Sequence, residues 1–174
     1  MADISFNTAA GNVVQRELLL LFLNTGTATT PVWSVIGKRV EDSSMEYDWG
    51  EESKNDILGN TYTTLAKPTI TQTFDPCELD AADVAQTKIW NLAVKDQDYA
   101  SLANQDMLVV HCYANGSSTE GVYFAERYDA CAVRPTGLGG SANVGMPIDV
   151  TYGGTRTLGT ATITGGVPTF TAAA

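Results

Sequence analysis

Short runs of alternating apolar and polar residues, divided by turn-rich links, fill most of the chain. A period of two marks half-buried strands. Glu17–Leu23 is the first such run, and its segment Leu18 to Leu23 is entirely apolar. At six residues it falls far short of the ~20 that span a membrane, so it reads as a buried strand. The link "NTGTATTP" leads to Val32–Val35. Ser43–Trp49 sets Met45, Tyr47 and Trp49 against Glu46 and Asp48, and a return strand follows near Asn60–Leu65. After Pro68, "TITQTF" alternates and stops at Asp75-Pro76. Further on, Asp106–Ala114 and Thr119–Arg127 flank "NGSS", where Asn115-Gly116 suits the positive φ of a hairpin turn. "YDACAVRP" and "GMPIDVTYG" supply two more strands.

One segment has helical spacing instead. In "DAADVAQTKIWNLAVKD", Ala82, Ala85, Ile89, Leu92 and Ala93 share one face. Asp80 is the expected N-cap, with Asp83 three residues on and Lys88 and Lys95 towards the end, where the macrodipole prefers cations. The pattern predicts a mainly β single domain over 1–174: a sandwich or barrel-like subunit of about eight to ten strands with one flanking helix over about 80–95. Three parts are expected to project. They are an N-terminal arm (1–16), a long inter-strand loop (50–60) and a C-terminal arm (155–174).

Charge sharpens this picture. The net charge is −10, from ten bases and twenty acids, and no basic run occurs. Gripping phosphates requires clustered Lys and Arg, so a protein that holds nucleic acid tightly is excluded. Seven acids fall between Glu41 and Asp56, with Lys54 the only base among them. By contrast, Pro135 to Ala174 carries only Asp149 and Arg156. A tail so neutral and Thr-rich is expected to lie against another surface. The N-terminus lacks the basic start and apolar stretch of a signal peptide, so assembly in the cytoplasm is expected.

Motifs for chemistry are missing. The lone histidine, His111, neighbours Cys112 in a strand, so the two side chains point to opposite faces and His111 reads as a partly buried structural residue. Cys77, Cys112 and Cys131 are widely spaced and odd in number, which predicts buried free thiols rather than disulfides or a zinc site. No Walker A loop, GxGxxG, HExxH or GxSxG occurs. "RPTGLGGSANVG" reads as a turn-rich loop, and "DWGEESKNDILG" lacks the ligand order of an EF-hand. No catalytic site, metal or cofactor is expected.

In order, "PVWSVIGKRVEDSSMEYDW", "DILGNTYTTL", "TITQTFDPCELDAADVAQTKIWNLA" and "RTLGTATITGGVPTFT" resemble the tail tube (major tail) protein of long-tailed bacteriophages, especially those of Gram-positive hosts. The resemblance covers nearly the whole chain and rests on the order of features. It implies homohexameric rings whose sheets join into an inner β-barrel, and rings that stack into a hollow tube in the virion tail. It also implies a tape measure protein and tail terminator or initiator proteins as partners, and DNA passing through without tight binding. On this reading Glu51, Glu52, Lys54 and Asp56 would reach a neighbouring ring or subunit, with Lys38 or Arg39 receiving the acids. Glu46 and Asp48 would be candidates for the lumen wall, the outer solvent face being the other assignment. The rival from a different class is a carbohydrate- or surface-binding β-sandwich using Trp33, Trp49 or Tyr62.

Overall fold

The computed structural model describes residues 4–173. Strand β8 (Gln105–Asn115) is buried on both faces, and the molecule is built outward from it. Met107 and Val109 enter one core, while Leu108, Val110 and Cys112 enter another on the opposite face. Such a strand must read as an almost unbroken apolar run, as "MLVVHC" does. On one side β8 pairs with β1 (Leu19–Asn24), which carries β2 (Trp33–Ile36) outside it. On the other side lies β9 (Val122–Pro135), fourteen residues long.

Two strands share β9. Strand β10 (Ile148–Tyr152) pairs with its C-terminal half and β11 (Arg156–Thr164) with its N-terminal half. The bend between them needs glycine. A Cβ at Gly153 would lie 2.7 Å from the Ala130 carbonyl oxygen, and one at Gly154, where φ is +71°, would lie 2.7 Å from the Ala130 nitrogen. Asp129 Oδ1 accepts the Thr155 amide at 2.6 Å and fixes the bend. Beyond β10 lies β7 (Thr69–Cys77), whose far edge pairs with both β3 (Val40–Asp42) and β4 (Met45–Asp48). Beyond β11 lies β12 (Val167–Ala172), which reaches round to pack against β2. These pairings are all antiparallel and make one curled ten-stranded sheet.

The first core gathers Leu21, Leu23, Phe74, Met107, Ile148 and Val150 inside the curl. Helix α1 (Val84–Trp90), prolonged by a π-helical stretch Asn91–Lys95, covers it with Ala85 and Ile89. The second core packs Phe22, Trp33, Leu108 and Ala161, with Phe170 against it. Each of these large side chains contributes about 1.5–3 kcal/mol by leaving water.

Several expectations change. The N-cap is Asp83, which accepts the Gln86 amide at 2.9 Å, and Ala82 is exposed ahead of the helix. Asp80 instead holds the preceding turn through the Ala82 amide. A short helix α2 (Tyr99–Leu102) follows. Residues 155–173 do not project; β11 and β12 form a hairpin along β9, because Thr-rich alternation with Ala161 and Phe170 inward completes the second core. Ala174 of that expected arm lies outside the described residues. So do residues 1–3 of the N-terminal arm, which is anchored to the body near Phe6 and at Arg16 and is mostly exposed between them. Phe6 bridges to Ala114, the Asn7 amide donates to the Tyr113 carbonyl, and Arg16 Nε donates to the Ser43 carbonyl at 3.1 Å. In the β8–β9 turn the positive φ belongs to Gly121. Gly116 is required because a Cβ there would meet the Tyr123 carbonyl oxygen at 2.5 Å. The described residues hold twelve strands rather than eight to ten. Polar β3 and β5 (Glu52–Asn55) lack a hydrophobic signal, the C-terminal segment supplies β11 and β12, and the two runs Thr119–Arg127 and "YDACAVRP" are one continuous strand, β9.

Candidate assembly interface

The loop expected over 50–60 is a two-stranded ribbon. Strand β5 pairs with β6 (Thr61–Thr64), and the pair forms a sheet of its own. All eight strand residues are exposed. An isolated ribbon is marginally stable, so its turn must be held by local bonds. Asp56 supplies them. Its Oδ1 accepts the Leu58 and Asn60 amides at 2.8 and 2.9 Å, and its Oδ2 accepts Asn60 Nδ2 at 2.9 Å and the Tyr62 hydroxyl at 3.1 Å. These bonds, with Asn60 foremost, hold its carboxyl below the usual carboxylate range. The tip therefore presents Ile57 and Leu58 on an ordered turn, with 102% and 81% relative exposure.

The expected contact residues separate into local roles. Lys54 lies 3.2 Å from Glu52 on the same ribbon, and Asp56 is consumed by its turn. Glu51 is exposed at the ribbon base. Lys38 and Arg39 sit in the turn between β2 and β3, where Asp80 takes them at 2.8 and 3.3 Å. Their hydrogen bonds, Lys38 first, hold the Asp80 carboxyl well below its ordinary range. Glu78 lies 3.8 Å from Arg39. Within one copy, no ion pair among the described residues joins the ribbon to Lys38 or Arg39; the expected contact is one between copies.

Glu46 and Asp48 lie opposite Thr71 and Thr69 in the ladder, and directly opposed residues share a face. That face continues through Thr73 and Asp75 of β7, Asp149 and Thr151 of β10, and Ala132 and Arg134 of β9. It is the face turned away from the first core. Its side chains are small or acidic, apart from Arg134, which lies 3.4 Å from Asp149. The outer edges of β3 and β4 pair with no other described strand.

The opposite face of β4 borders a cleft of about 350 Å³ that sequence reasoning did not find. Tyr47 and Trp49 are stacked at its mouth, 6.3 Å apart and both about half exposed. Lys67, Pro68, Ile70, Tyr128, Tyr152 and Arg156 complete the wall. Glu126 lies beneath, 5% exposed. Its Oε1 meets His111 Nε2 at 2.8 Å, and its Oε2 accepts the Tyr128 hydroxyl at 2.9 Å and Arg156 Nε. Burial is the largest single influence and opposes its ionisation. The bonds from His111 and Arg156 together outweigh it and hold the carboxyl at about 2. Burial first, and Glu126 next, push the Tyr128 hydroxyl far up. The second nitrogen of His111 meets the Tyr113 hydroxyl at 2.8 Å, so the imidazole is fully engaged in structure. Trp33 is buried under the Arg127 guanidinium, while Tyr62 is exposed on the ribbon. The three cysteines are free and buried, and burial pushes Cys131 up to about 12.

No family model matches the chain, and no curated protein matches it. Seven chains of solved structures match it, and three of them illustrate the likeness. One is the sheath–tube complex of an extracellular contractile injection system (PVC) in its extended state, at 8% identity over 88% of this chain and 95% of that one, with TM-score 0.48. The sheath/tube terminator of that system is 10% identical over 86% and 99%, with TM-score 0.44. The tube-terminating cap of the anti-feeding prophage is 13% identical over 89% and 96%, with TM-score 0.45. Likeness at this level leaves the role of the chain to be argued from its own surfaces.

Proposed function

We propose that the chain is a structural, non-enzymatic subunit of a phage tail tube, in which homohexameric rings stack into a hollow conduit for DNA. The observation that carries this reading is the Thr- and acid-lined face that holds Glu46, Asp48, Asp75 and Asp149. A conduit must not retain its cargo, and a wall of small side chains with a negative field repels phosphate. On this reading that face lines the lumen, and the free edges of β3 and β4 join the sheet of a neighbouring copy. The ribbon projects from the same strand β4 and bridges copies. The assembly would reside in the virion tail. A tape measure protein would occupy the lumen, and terminator or initiator proteins would meet the tube ends.

A second reading, a carbohydrate-binding module, is favoured by the stacked Tyr47–Trp49 pair at a cleft of sugar-like size. Negative-stain electron microscopy of the purified chain at rising concentration separates the two. Hollow tubes of stacked rings are expected. A chain that stays monomeric at every concentration and binds sugar saturably would replace the tube reading with the second.

A further inference from the structure

The ribbon tip and the aromatic cleft are complementary. The tip is an apolar knob of Ile57 and Leu58, prefolded by Asp56 and projecting from a strand pair that forms a sheet of its own with every residue exposed. Large aliphatic side chains held out into water on an ordered turn are unusual, because ordering them gains nothing until they are covered. Of the clefts of about 350 Å³ or more, one is lined by polar and acidic side chains, Asp42, Glu46 and Asp75 among them, and another beside the helices has Leu92 as its one large apolar side chain. Two have walls of several large apolar side chains that could cover the tip. The larger, about 760 Å³, lies between β1, β2 and β3, and its rim carries Glu17, Glu41 and Asp42 against Arg16 and Lys38. The smaller is the cleft of Tyr47, Trp49, Tyr128 and Tyr152, whose rim carries Lys67 and Arg156 with only the buried Glu126 below.

Charge selects between them. The ribbon brings Glu51 and Glu52 with its tip, and Lys54 offsets one of the two. The larger rim, with more acids than bases, repels such a ribbon; the smaller rim attracts it. The ribbon leaves the sheet at Trp49 and returns at Lys67, so its own tip points away from the cleft at its base. A ribbon from another molecule has no such restriction.

We infer that the Tyr47–Trp49–Lys67–Arg156 cleft is the receptor for the Ile57–Leu58 tip of a second copy of this chain. The inference rests on the reading of the protein as a self-assembling subunit. It replaces Lys38 and Arg39 as the receivers of the ribbon. Contact is heterologous, tip into cleft, and so can propagate from copy to copy.

Disulfide trapping between full-length chains tests it. The native cysteines are buried and do not compete. A Leu58→Cys chain is mixed with a Thr155→Cys chain, whose thiol stands at an exposed position between Gly154 and Arg156 of the cleft wall. In parallel it is mixed with a Gln15→Cys chain at the larger cleft and a Ser117→Cys chain in the β8–β9 loop as background. Docking replaces the bulk concentration with a millimolar effective one, so the Leu58–Thr155 pair should link at least about tenfold faster than background. Adding Lys67→Glu to the Thr155→Cys chain should return the rate to background. Preferential linking to Gln15→Cys, or to neither cleft, overturns the inference. Microscopy of the wild-type chain distinguishes the two levels of failure. Tubes without the cross-link overturn the docking and leave the tube reading standing; neither tubes nor cross-link overturns both.

Discussion

At the scale of residues, Glu126 is the group on which pH should act. Its carboxyl lies at about 2 in the folded chain against an ordinary value of 4.5. A depressed folded value means the contribution is complete above about 4.5 and is lost as pH falls from there towards 2. A gap of that size in a buried group corresponds to about 3 kcal/mol. Glu126→Gln should therefore lower the urea midpoint clearly at pH 7, and the difference from wild type should close near pH 2. A difference that persists undiminished at pH 2 would show that the carboxylate charge is not the source. None of this network was legible beforehand. His111 could be read as structural from strand alternation. Its partner Glu126 lies 15 residues away and Arg156, which bonds Glu126, a further 30, and only the β8–β9–β11 register brings them together. The acids of the ribbon were visible as a charge run. Their local use, Asp56 by its turn and Glu52 by Lys54, depends on which side of the ribbon each side chain takes.

Among the elements, those with clear alternation and apolar content were legible, because β1, β7 and β8 bury what their pattern says they bury. Of the two ribbon strands, which bury nothing, only β6 was legible, as the return strand near Asn60–Leu65. The ribbon strand β5 has four exposed polar residues and no hydrophobic signal. The β11–β12 hairpin was misread as an arm because it lacks charge, yet its Thr-rich rhythm is that of an edge pair over the second core. These differences should appear in hydrogen exchange of the monomer. Amides of β8 and β9, locked between partners on both sides, should exchange only through global unfolding, while those of β5 and β6 should exchange orders of magnitude faster. The β11 amides paired to β9 should follow the slow class; fast exchange there would restore the projecting arm.

For the whole molecule, the organising fact is the contrast between its two faces across β4, β7 and β10. One closes over a core and an aromatic cleft; the other offers threonine and carboxylates to water. If that second face lines a conduit, reversing its charge should alter cargo handling without altering the fold, since Glu46 and Asp48 are exposed. Tubes of the Glu46→Lys, Asp48→Lys chain should retain double-stranded DNA at low salt where wild-type tubes do not, and the retention should fade as salt rises. Equal behaviour of the two would move those carboxylates to the outside of the tube.

The Asp56 turn bears on how quickly copies could join. Its four bonds order the ribbon tip during folding, so no loop search remains for the moment of encounter. Joining would then be limited by collision and orientation. Every copy carries a net charge of −10, so copies repel one another at long range, and dissolved ions relax that repulsion. A filament built this way would lengthen faster at moderate salt than in dilute buffer, because the long-range repulsion between whole copies is relieved while the close attraction of the Lys67 and Arg156 rim for the ribbon persists at contact.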